Sequence, residues 1–193
     1  MAYYVNNEVL RQTIAKYNAN NIYDKFEWIP PYVRKMTNAY QKGKLTKEEY
    51  DDTMQFIKKK IDTRNKVLDE YKKMDAQARV VFNDDLNRTR EELCGYFRKI
   101  SVGRANTLAI YKKVPDYEEV KDILTDTLID MMDKCSRYDT DRGTSCFSYM
   151  TTTAENAIKQ GINRYKERKA RFVSGLDYFD NLDSPDYDYD DLD

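Results

Sequence analysis

The sequence predicts an all-α protein, with an N-terminal helical extension, a compact helical domain and an acidic C-terminal tail. Only six Gly and four Pro punctuate 193 residues, so few sites force a long element to break. Charged residues make up 35 % and apolar residues 40 %, the balance expected of helices with one buried stripe and broad solvated faces. Apolar residues also recur at helical spacing through most of the chain. This length holds one domain with a real core plus extensions. The boundaries expected are residues 1–85 for the extension with long hairpin-like helices, 86–173 for the domain and 174–193 for the tail, which is expected to be disordered when free.

In chain order, Asn6 or Asn7 can cap a short amphipathic helix carrying Val9, Leu10, Ile14 and Tyr17. Residues 20–31 read as an extended linker, because Pro30 and Pro31 bias their predecessors away from helix, and its aromatics Phe26 and Trp28 are expected to dock on a neighbouring surface. A helix over 32–41 ends near Gly43. Thr46 and Glu49 form a capping box for a long helix to about Met74, with Tyr50, Met54, Ile57, Ile61, Leu68 and Tyr71 on one stripe. These two helices form an expected hairpin. Asn83 to Asp85 offers the cap of a helix bearing Leu86, Leu93, Phe97 and Ile100, and Gly103 marks an expected break or close packing before the apolar stretch up to Val114. Pro115 and Asp116 then open a helix to about Ser136, with Glu118 and Glu119 at its positive end. Its core stripe is read as Leu124, Leu128, Met131 and Cys135. The opposite face, with Asp122, Thr125, Asp126, Asp130 and Asp133, is either solvated or made for a basic partner. A turn from Tyr138 to Gly143 follows, then a last helix.

Composition narrows function. No His is present, which removes the commonest general base near neutral pH. Cys94, Cys135 and Cys146 have no metal-ligand spacing and read as small buried hydrophobes of a reduced, intracellular protein. The sequence supports no enzyme activity, metal or cofactor, and no signal peptide or membrane span. The net charge of -1 conceals a basic block, six Lys/Arg against one Glu over residues 159–173, followed by eight Asp and no cation over 176–193.

The last helix carries the chemistry. Thr152, Asn156 and Lys159 share a face with Tyr149. Asn can bond adenine with two hydrogen bonds, Tyr can stack on an unpaired base, and Thr and Lys can reach phosphate. Arg164, Lys166, Arg168, Lys169 and Arg171 extend it as a cationic end, either a phosphate contact or a solvated basic helix.

The pattern D-x-x-x-D-x-L...M...Y-D-x-x-R-G...S-Y-x-T...N-A-I, from Asp122 to Ile158, resembles the second region of bacterial sigma factors. The opening YYVNNEVLRQTIAKY, the short length and the acidic end narrow the resemblance to the late-transcription sigma factors of T-even-like phages. It is close over residues 3–17 and 122–170, and residues 20–85 have no counterpart. The resemblance implies that Asp122, Thr125, Asp126, Leu128 and Met132 bind the clamp helices of the largest subunit of bacterial RNA polymerase core. It implies that Tyr138 and Tyr149 hold the flipped adenine of a promoter -10 element, beside Arg142 in the turn, and that Asn156 and Lys159 contact the upstream base pairs. Thr152 and Thr153 replace the tryptophan pair that wedges the duplex open in primary sigma factors, which leaves melting to polymerase, to a deformable A/T-rich element or to Phe147. Glu155, where a cation is usual, would repel phosphate.

The resemblance further implies that the tail binds a phage sliding clamp. Two segments are candidates, one anchored by Leu176, Tyr178 and Phe179 and one by Tyr187, Tyr189 and Leu192, each suited to a hydrophobic groove with a basic rim. The function expected is a sigma-like initiation factor in the cytoplasm of an infected bacterial cell. The alternative is a helical adaptor that grips a host protein without reading DNA.

Overall fold

The structure is a computed structural model that describes residues 5–24, 26–140 and 145–180, with 173–180 described as backbone. The described residues form seven helices and no strand: α1 (Asn7–Asn20), α2 (Ile29–Gln41), α3 (Lys47–Lys73), α4 (Ala76–Thr107), α5 (Ile110–Lys113), α6 (Tyr117–Cys135) and α7 (Cys146–Asp180). The all-α expectation holds.

Local signals set several boundaries. Asn6 Oδ1 accepts from the Glu8 and Val9 amides at the start of α1, and Thr46 and Glu49 form the reciprocal capping box of α3. Gly43, at φ 65°, turns the chain between α2 and α3. The stacked rings of Tyr40 and Tyr50, 4.9 Å apart, tie this hairpin together.

Four boundaries differ from the sequence reading. Pro30 and Pro31 lie in the first turn of α2 rather than in an extended linker, because first-turn amides need no intrahelical acceptor and proline loses nothing there. Asp75 caps α4, and residues 83–85 lie inside that helix. Their side chains serve tertiary contacts instead of capping: Asn83 joins the Tyr71 and Tyr23 hydroxyls, and Asp85 meets Lys16 at 2.8 Å. The chain breaks at Ala109, φ 50°, while Gly103 continues the helix. Pro115 lies just before α6 rather than in its first turn, and Asp116 is the cap, accepting from the Glu118 amide at 2.9 Å.

Two apolar clusters make the core. In the first, Leu10 and Ile14 of α1 meet Leu93 and Phe97 of α4, Met131 and Cys135 of α6, and Met150 and Ala154 of α7. In the second, Ile110 and Val114 around α5 meet Val120 and Ile123 of α6 and Ile158 and Ile162 of α7. Helix α1 thus belongs to the core, and the boundary expected at 85/86 falls within α4. The inward ridge of α6 is Val120, Ile123, Thr127, Met131 and Cys135, one position out of phase with the expected Leu124 and Leu128. Thr127 is tolerated inside because its hydroxyl donates to the Ile123 carbonyl at 2.7 Å. Leu124 and Leu128 are half-buried at the edges of the clusters.

Helix α7 extends to Asp180. The first tail segment, with Leu176, Tyr178 and Phe179, therefore lies on helical backbone where a tail was expected from residue 174. Tyr187, Tyr189 and Leu192 fall outside the described residues.

Candidate nucleic-acid interface

Three elements fix the start of α7. Ser145 Oγ accepts from the Ser148 amide at 3.2 Å, the geometry of a serine cap. Asn7 Oδ1, from α1, accepts from the Phe147 amide at 2.8 Å and from Ser145 Oγ at 3.2 Å. The preceding turn is braced by the N-terminal helices: Arg11 donates to the Thr140 carbonyl at 3.2 Å, Asn18 to the Cys135 carbonyl at 2.9 Å, and Lys60 to the Ser136 carbonyl. Arg142 and Gly143 lie outside the described residues. Trp28 docks beneath the turn with the Arg137 guanidinium 5.7 Å from its ring. Docking of the 20–31 aromatics was legible in the sequence; their partner was not.

Tyr138 and Tyr149 come together, with ring centroids 5.2 Å apart. Their roles in the fold differ. Tyr138 is 3 % exposed and sits in the first core cluster. Tyr149 is half-buried, and its hydroxyl donates to the Lys134 carbonyl at 3.4 Å. Burial pushes the Tyr149 hydroxyl above its usual pKa. Tyr149 is thus the member of the pair that a base can approach from outside, with Tyr138 behind it.

The threonine pair also divides. Thr152 is exposed, whereas Thr153 turns into the core at 6 % exposure, because adjacent residues on a helix lie about 100° apart. Asn156 and Lys159 are exposed on the same outward ridge as Thr152. Phe147 is 36 % exposed.

Glu155 beside this ridge is not an isolated negative charge. Arg104 from α4 donates to its carboxylate, and Lys159 approaches it at 2.7 Å. The Lys159 bond first, then the Arg104 bond, hold the Glu155 carboxyl below the usual carboxylate range. The repulsion of phosphate expected from this residue is offset locally.

Helices α6 and α7 approach closely at Gly161. A Cβ built there would lie 2.7 Å from Ile123 Cγ2. Outside this contact the acidic and basic faces meet: Arg164 pairs with Asp126 at 3.1 Å and Arg168 with Glu119 at 2.5 Å. Two residues given to DNA in the sequence reading thus bind carboxylates of α6, while Lys166 and Lys169 are exposed without such partners among the described residues.

On α6, Asp122, Thr125 and Asp126 are exposed, and Leu128 and Met132 are half-buried against the first cluster. Sequence reasoning missed Ile129, which is 64 % exposed among Asp126, Asp130 and Asp133. The signal was present, since Asp122, Asp126, Ile129 and Asp133 form one ridge at helical spacing. Cys135 and Cys146 are buried, and burial pushes both thiols up to about 12, so they act as packing groups. Among the described residues no cluster of His, Cys, Asp and Glu could hold a metal ion, and no helix is long and apolar enough to cross a membrane.

Comparison with known families finds one match: residues 107–169 fit the family model for Sigma-70 region 2. No curated protein and no solved structure matches the chain. The matched segment runs from the last residue of α4 through α5, α6 and the turn into the basic part of α7.

Proposed function

We propose that the chain is a sigma-like transcription initiation factor, on the premise that residues 107–169 are similar to Sigma-70 region 2. The observation that carries this reading is the match itself, falling on the helix, turn and helix whose outward side chains can contact nucleic acid. The exposed acidic ridge of α6 binds the clamp helices of bacterial RNA polymerase core. Asp122, Thr125 and Asp126 supply charge, Ile129 a central apolar anchor, and Leu128 and Met132 the inner edge. Tyr149 receives an unpaired base over Tyr138, Arg142 is a further DNA contact, and Thr152, Asn156 and Lys159 contact the adjoining base pairs and phosphates. No bond is made or broken by the chain.

At finer grain, the target is an A/T-rich -10-type late promoter of a phage, read in the cytoplasm of the infected bacterium. Such an element stretches and unstacks at lower cost than a G·C-rich one. This matters because Thr152 is a short outward side chain and Thr153 is buried, so neither is a wedge. The acidic C-terminal residues couple the complex to a sliding clamp through Leu176, Tyr178 and Phe179 or through Tyr187, Tyr189 and Leu192.

Mixing the chain with core polymerase and a TATAAATA-like duplex tests this. The expected result is protection of the element only when chain and polymerase are both present. Polymerase captured without protection of any A/T-rich duplex would favour the helical adaptor.

A further inference from the structure

The basic end of α7 is not a uniform phosphate contact. Toward α6 its arginines are engaged, Arg164 with Asp126 and Arg168 with Glu119. The other side faces the corner between α4 and α5, as the ion pair from Glu155 to Arg104, near the end of α4, establishes. Lys166 lies two turns beyond Lys159, on the flank of the outward ridge of Thr152, Asn156 and Lys159 that adjoins the ridge of Ile158, Ile162 and Tyr165 packed in the second cluster.

The corner is built to present cations. Ala109 takes a left-handed conformation, φ 50° and ψ 47°, and turns the chain out of α4. Ile110 and Val114 are then fully buried in the second cluster, which residues of α4, α6 and α7 share, and the residues between them project outward, with Lys112 and Lys113 exposed and Tyr111 49 % exposed. Neither lysine has a carboxylate partner among the described residues. The acids next along the chain are committed elsewhere: Asp116 accepts from the Glu118 amide, and Glu118 pairs with Lys121 at 3.2 Å.

We propose that Lys112 and Lys113 of the α4–α5 corner, with Lys166 of α7, form a binding site for the backbone of double-stranded DNA beyond the Thr152–Lys159 ridge. The inference rests on the promoter-binding reading above and adds a site to it. Duplex backbone is the occupant that fits, for two reasons. Lys112, Lys113 and Lys166 are exposed and have no carboxylate partner among the described residues, which suits a regular line of phosphates. The site also continues the α7 surface in the direction from Tyr149 to Lys159, that is, from the opened element toward duplex on its upstream side.

The test is the salt dependence of promoter binding by the full chain with core polymerase, on a probe with long upstream duplex and on one cut back to the element. Replacement of both lysines (K112Q/K113Q) is compared with K58Q/K73Q on α3. On the long probe the corner variant is expected to lower the salt slope by about 1.8, or about 0.9 per lost contact, with no change on the short probe and none for the α3 variant. An unchanged slope on the long probe, with the complex intact, overturns the site. An equal fall on both probes with weaker polymerase capture overturns it too, and assigns the corner to an acidic protein surface. Failure of the unaltered chain to form any promoter complex would instead defeat the promoter reading and this site with it.

Discussion

At the residue scale, two positions do work that composition does not reveal. Gly161 lets α6 and α7 touch, since an added Cβ would meet Cγ2, Cγ1 and Cβ of Ile123 at 2.7, 2.9 and 3.3 Å. Gly161→Ala gains helix propensity of about 0.5–1 kcal/mol but overpacks a core contact, which typically costs about 1–3 kcal/mol. The expected net result is a loss of about 1 kcal/mol in urea unfolding, and a gain in stability would show that the contact relaxes freely. Glu8 gives a pH signature. Bonds from Arg11 first and then Gln12 hold its carboxyl at about 2, down from 4.5. A depressed carboxyl stabilises the fold fully above the unfolded value and loses that contribution as pH falls through the folded one. Stability should therefore fall between about pH 4.5 and 2, and Glu8→Gln should flatten this part of the profile while matching the unaltered chain below it. An unaltered profile would mean that Glu8 gains nothing on folding.

At the element scale, the pairing of α6 with α7 couples two proposed surfaces. Asp126 and Glu119 pair with Arg164 and Arg168, so on the proposed function these carboxylates would compete with phosphate for the same guanidiniums. Exposed pairs of this kind contribute about 0.2–1 kcal/mol each. The E119Q/D126N variant should bind single-stranded DNA about 2- to 5-fold more tightly at low salt, measured by fluorescence anisotropy on the chain alone. Unchanged affinity would mean that these arginines do not reach DNA.

Much of each element was legible where a local signal is sufficient. The Thr46 and Glu49 box, the Asn6 cap and the Gly43 turn all carry their own hydrogen-bond or backbone logic. Legibility failed where a side chain is used at long range. Asn83 and Asp85 look like caps but bond to Tyr23, Tyr71 and Lys16. Pro30 and Pro31 look like linker residues but stand where helix amides are dispensable. On α6, Met131 and Cys135 are buried as read, but the stripe before them was read one position off because Thr127 hides its hydroxyl inside the helix, which leucine counting cannot anticipate. On α7, spacing located the outward ridge, but the inward turn of Thr153 and the division of the basic end follow from which helices flank it.

At the scale of the whole molecule, the segment similar to Sigma-70 region 2 does not stand alone. Helix α1 fills the first core cluster and bonds the start of α7 through Asn7, while Lys60 of α3 reaches the turn between α6 and α7. The proposed clamp contact, by contrast, is separable. Deleting residues 174–193 should leave basal promoter opening intact and abolish stimulation by a DNA-loaded sliding clamp in a transcription assay. Stimulation that survives the deletion would remove the tail from the account.

On the proposed function, this chain lets polymerase open an A/T-rich element without an aromatic wedge at Thr152 and Thr153. Permanganate reactivity of the thymines in a TATAAATA-like duplex reads this directly, because the reagent attacks unstacked thymine. Reactive thymines within the element are expected only when the chain and core polymerase are both present. Thymines that remain unreactive in a complex that nonetheless protects the element would contradict it.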